Sequence, residues 1–105
     1  MAKTIISAFD SPQEVARVLD YAASGGFESC RFSVITAKRE DGLDSVIKEV
    51  PSISARLYKQ ALKKGESLLV ARTPENEVKR LISLLQAAGG NYIEAFDYTA
   101  SSQEH

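Results

Sequence analysis

The chain has 105 residues, 44% hydrophobic and 26% charged, with six Gly and three Pro. Such a composition excludes a disordered or fibrous chain, and the length holds one domain but not two. Thirteen Lys and Arg against fourteen Asp and Glu give a formal net charge of -1, which argues against the dense positive field that holds proteins on nucleic-acid backbones. A single cysteine, Cys30, excludes an internal disulfide or a Cys-rich metal site on one chain and fits a cytoplasmic location.

Residues 4–9 form an apolar run that Asp10 stops at once. The run is too short for a signal-peptide core and reads as a first strand. No stretch approaches the ~20 apolar residues of a membrane span, so no membrane is expected. Ser11, Pro12 and Glu14 then combine a Ser-x-x-Glu capping box with proline at the first helical position. Val15, Val18, Leu19 and Ala22 continue at helical spacing, and Gly25-Gly26 stops the helix near Ser24. Residues 32–36 read as a second strand.

An insertion follows over residues 38–65, beginning with a charged loop at 38–42. Leu43, Val46, Ile47 and Val50, at i, i+3, i+4 and i+7, predict a short amphipathic helix ended by Pro51. Ser52 or Ser54 caps a further helix through Lys64, with Ile53, Leu57, Tyr58, Ala61 and Leu62 as its apolar side and Gly65 as its stop. A third strand over 67–71 then leads into Thr73-Pro74-Glu75, which opens a helix closed by Gly89-Gly90, and residues 92–96 form the last strand. The second half repeats the first with one inserted residue. Two strand-helix-strand units of this kind predict an α+β, ferredoxin-like split βαβ sandwich (βαβ-αα-βαβ), with a four-stranded antiparallel sheet and helices on one face. The domain is expected over 1–98, with 99–105 a disordered tail.

The catalytic inventory is thin. His105 is the only histidine and lies in that tail, so no Ser-His or Cys-His pair can form within the domain. Gly25-Gly26 and Gly89-Gly90 follow helices instead of opening them, which excludes a phosphate-cradling loop, and Glu40, Asp41 and Asp44 lack calcium-loop spacing. No catalytic residue, cofactor or metal is expected, although Tyr or Glu could still serve as acid or base in a small enzyme. Cys30 beside Arg31 is a potential redox or conjugation site, with a half-buried small side chain as the simpler reading.

Alternate residues along the strands are expected to separate two faces. Ile6, Ala8, Ile35, Leu69, Ala71, Ile93 and Ala95 suit a core under two helices. Ile5, Ser7, Phe9, Phe32, Val34, Thr36, Leu68, Val70, Tyr92, Glu94 and Phe96 form a face too aromatic to stay in water. Its cover is one of four: the inserted helices, a second copy of the chain, a small ligand, or RNA bases. RNA is set aside because the third strand offers Leu68 and Val70 where an RNA-recognition domain stacks bases on aromatics. Phe9, Phe32, Tyr92, Glu94 and Phe96 are thus the candidate interface or pocket, with Ser7 and Tyr58 as further polar lining if it is a pocket.

Asp10 and Arg72 occupy corresponding places past the first and third strands, which are expected to lie adjacent and parallel. Ser11, Arg72 and Thr73 then make a candidate anion site at paired helix starts, against the simpler reading of a salt bridge beside two caps. Arg56, Lys59 and Lys63, extended by Lys64, form a basic row on the inserted helix that could bind an acidic partner or could simply be its solvated side.

The segments Phe9-Asp10-Ser11-Pro12-Gln13-Glu14-Val15, Leu57 through Gly65 with its Tyr58, Ala61, Leu62 and Gly65, and Ser67 through Arg72 together resemble the bacterial general stress protein (heat-induced stress protein) domain. The likeness spans most of residues 3–98, although the Gly-rich stretch common in such proteins is missing. The resemblance implies a cytoplasmic, non-enzymatic accessory protein linked to stress response, and it supplies no site residues. Together with the uncovered aromatic face, this makes the leading expectation a homodimer, with a possible unknown protein partner, self-associating through the open sheet face or the inserted helices. The alternative is a small-molecule sensor or small enzyme with a pocket at the open sheet face of a dimer.

Overall fold

Residues 2–38, 43, 48 and 50–97 of the chain are described by a computed structural model. Within them β1 (Ala2–Phe9) leads through α1 (Pro12–Ser24) to β2 (Arg31–Ile35), and α2 (Ser52–Lys63) occupies the connection. The second half consists of β3 (Ser67–Pro74), a 3-10 turn (Glu75–Glu77), α3 (Val78–Ala87) and β4 (Asn91–Asp97). The helix expected around residues 43–50 and the tail 99–105 fall largely or wholly outside the described residues. Of the former, Leu43 is buried in the cluster that includes Tyr58 and Leu68, and Val50 packs against that cluster.

Local chemistry explains most of the boundaries. Pro12 opens α1, but the expected capping box does not form: the Ser11 hydroxyl makes no cap bond, and Glu14 Oε1 accepts the N–H of Asp10, one residue before the cap, at 3.1 Å. Gly65 (φ +90) and Gly89 (φ +91) take the left-handed conformation that turns the chain out of α2 and α3. The start of α3 differs from expectation. Pro74 is extended and remains in β3, opposite Ala2 at the end of the ladder, where a missing N–H is tolerated. The helix therefore waits until Val78.

The strand order is β2-β3-β1-β4, and all three pairings are antiparallel. The halves interleave, since β1 lies between β3 and β4 while β3 lies between β1 and β2. The architecture is α+β, with one open four-stranded antiparallel sheet and three helices among the described residues. The expected parallel relation of β1 and β3 is corrected. Phe9 stands opposite Ser67 and Ala2 opposite Pro74, so the two strands run in opposite directions.

Register also corrects the expected faces. Ile5 pairs with Ala71 on one side and Ala95 on the other, and Ala71 pairs in turn with Phe32. Directly opposed residues share a face, so Ile5, Ser7 and Phe9 belong with Leu69, Ala71 and Ile93. On this face Phe9, Ile5 and Leu69 pack with Val15, Val18 and Ala22 of α1 and with Leu81 and Leu85 of α3. On the other, Ile6, Ala8, Leu68, Val70 and Ile35 pack against Tyr58, Ala61 and Leu62 of α2. Helices thus cover both faces: α1 and α3 lie on one, as expected of the sandwich, and of the four covers considered for the other it is the inserted helix that lies there. The aromatic face needed a cover, and the inserted helix supplies it for the face that carries Phe96.

Candidate functional site

The five residues expected to form one interface or pocket do not share a surface. Phe9 is fully buried and Phe32 packs on the same cluster, under α1 and α3. Phe96 packs on the opposite side with the α2 cluster, and Glu94, opposite Ile6, lies on that side too. Phase was misjudged because both faces are apolar, so alternation within one strand does not reveal which face its neighbour presents.

What the fold does assemble is a polar seam between α2 and β4. Ser54, buried on the first turn of α2, donates from Oγ to Glu94 Oε1 at 2.7 Å. One turn later the Tyr58 hydroxyl donates to the Tyr92 carbonyl oxygen at 2.9 Å. These residues stand four apart, so they share one helix face and meet successive parts of β4. Tyr92 itself adopts φ 53, where non-glycine residues are uncommon, close to a shift in the β1–β4 register between Ile6 and Ala8. The irregularity turns its carbonyl toward α2. Burial raises the Tyr58 hydroxyl well above the ordinary phenol range, and the Glu94 carboxylate adds to the rise. Tyr58 is therefore a proton donor that keeps its proton.

Three members of the expected pocket lining, Tyr58, Tyr92 and Glu94, do come together. Ser7 does not, since it lies on the other face and donates to the Asn91 carbonyl oxygen at 3.3 Å. Ser54 was missed as a polar group because the sequence offered it only as a helix cap. The seam holds α2 against β4.

The remaining candidates disperse. Antiparallel pairing places Arg72 and Thr73 opposite Thr4 and Lys3, at the other end of β1 from Ser11, so the expected anion site is not assembled. Arg72 donates to the Thr4 hydroxyl at 2.6 Å. Asp10 instead accepts from the Asn91 side chain at 3.4 Å. Cys30 is buried, its Sγ 3.0 Å from Thr73 Oγ1. Arg56, Lys59, Lys63 and Lys64 all lie exposed on the outer side of α2. Arg80 was missed entirely: its guanidinium lies 4.3 Å from the centre of the Phe27 ring, donates to the Gly25 carbonyl and pairs with Glu77 at 2.9 Å. It fastens α3 to the loop after α1, and nothing in its local sequence marks that long-range contact.

Among the described residues no group of three or more His, Cys, Asp or Glu could hold a metal ion. Within the same residues no helix is long and apolar enough to cross a membrane. No protein-family model matches the chain, and no curated protein matches it.

Proposed function

We propose that the protein is a cytoplasmic, non-enzymatic accessory protein linked to stress response, acting through self-association and partner binding. The fold reading behind this is a ferredoxin-like split βαβ sandwich in which the insertion closes the second face. The strand order β2-β3-β1-β4, with each half's strands separated by one strand of the other, supports that reading.

The observation that carries the functional reading is the docking of α2. It buries Ala55, Tyr58, Ala61 and Leu62 on the sheet and engages the polar groups there in holding the helix. Association then falls to the outer surface: among the described residues the large hydrophobic side chains exposed there are Tyr21, Val34, Ile53 and Tyr92, and α2 adds its basic row. Those cations face outward, without an acidic residue on the same helix, and suit an acidic protein surface. A sensor pocket at an open sheet face loses its support, because Ser7 lies on the face opposite Tyr58 and α2 occupies the face that Glu94 shares.

Native mass spectrometry of protein purified without refolding tests the proposal. A dimer or higher oligomer without added mass is the expected result, and capture of a defined additional small-molecule mass overturns the reading in favour of a sensor.

A further inference from the structure

The two edges of the sheet are built differently. β4 carries the register shift beside Ile6 and Ala8, the φ 53 of Tyr92, and two acidic residues, Glu94 and Asp97. Bulges and charges are what keep an edge strand from pairing with a foreign strand. β2, at the other end of the strand order, has none of these devices beyond Arg31. Its ladder with β3 is regular from Arg31 to Ile35, it contains no proline, and its outer side has no strand partner among the described residues. Val34 is 40% exposed and Phe32 partly so, both on the face that α1 and α3 cover.

The sequence of β2 is also complementary to itself. Antiparallel pairing of two copies about Ser33 sets Phe32 opposite the partner's Val34, Val34 opposite the partner's Phe32, and Arg31 opposite the partner's Ile35. No like charges meet, and each copy gains two aromatic–aliphatic cross-strand contacts. The same operation on β4 about Glu94 would set carboxylate against carboxylate. Pairing of β2 is isologous and closes at two copies, leaving the less pairing-prone β4 edges outermost.

We infer that two copies of this chain join through β2, edge to edge, into one continuous eight-stranded sheet. The inference rests on the self-association reading above and names its surface. It leaves the basic face of α2 clear of the contact and doubles it in the assembly.

Sedimentation equilibrium on the full chain, on Val34→Lys and on Ala95→Lys tests the inference, with circular dichroism to confirm folding. Ala95 is exposed on β4, so its variant is the control for added charge. The expected result is a wild-type dimer, unchanged by Ala95→Lys and weakened at least about tenfold in Kd by Val34→Lys. If Val34→Lys proves unfolded, hydrogen exchange on the wild type decides: the β2 amides should gain protection as protein concentration rises, and unchanged protection overturns the proposal. A folded Val34→Lys that dimerises as well as wild type overturns the β2 interface while leaving self-association intact. A wild type that stays monomeric at high concentration overturns both.

Discussion

The two faces of the sheet are covered by different means. Under α1 and α3 the contact is a continuous apolar layer around Phe9, Ile5, Leu81 and Leu85, with Phe27 and Cys30 filling the end toward β2. Under α2 the apolar contacts through Tyr58, Ala61 and Leu62, with Leu43 in the same cluster, are supplemented by two hydrogen bonds to β4. The apolar layer supplies most of the free energy but little direction, since dispersion and desolvation tolerate small shifts. Hydrogen bonds from adjacent turns to Glu94 and Tyr92 set the rotation and translation of α2.

That comparison is sharpened most by truncation on each face. Phe9→Ala should lose about 3–5 kcal/mol, because Phe9 is fully buried between two helices and the sheet. Leu62→Ala should lose less, about 2–3 kcal/mol, because the side chain removed from the α2 side is smaller. Equal losses in urea denaturation would break the distinction.

Gly90 ties the layer under α1 and α3 to β4. A methyl group there would strike Ser7 Oγ and crowd the Leu85 carbonyl oxygen and the Phe9 ring. Gly90→Ala is therefore expected to cost about 1–3 kcal/mol by overpacking, read as a lower melting temperature. An unchanged melting temperature would mean that the β4 entry relaxes freely.

On the α2 side, Tyr58→Phe removes one hydrogen bond and leaves the Tyr92 carbonyl oxygen without that donor, an expected loss of about 1–2 kcal/mol by denaturant titration. The same residue gives a pH signature. Its hydroxyl titrates higher in the folded chain than in the unfolded one, so the unfolded chain releases the proton first as pH rises. The contribution is fully present below about pH 10 and is lost as pH climbs beyond it toward the folded value. Wild-type stability should thus fall more steeply above pH 10 than that of Tyr58→Phe, and parallel profiles would remove Tyr58 as the cause. The smallest effect is expected from Ser54→Ala, about 0.5–1.5 kcal/mol, with faster amide exchange confined to the start of α2.

Much of this fold is legible in single residues. Pro12, Gly65 and Gly89 mark helix ends through φ preferences that act within a few residues, and the spacing of Tyr58, Ala61 and Leu62 marks the buried side of α2, although Ile53, grouped with them by the same spacing, is exposed. Pro74 misleads, because its extended backbone suits a strand end as well as a helix start, and only the pairing with Ala2 decides between them. The candidate site was legible in part. Residue type and alternation mark Tyr58, Tyr92 and Glu94 as polar groups on one surface, but they also group Ser7, Phe9 and Phe32 with them and mark Ser54 only as a cap.

The sequence by itself determined the type and order of the described strands and helices and the placing of the only histidine at position 105, since each depends on local backbone preference or on residue identity. The tertiary structure alone decided which side of each strand faces which helix, that α2 closes the second face, and that Arg72 meets Thr4 far from Ser11. The reason is register: sliding a strand by one residue exchanges its two faces without changing a letter of the sequence, and register is fixed only when all the strands and helices pack together.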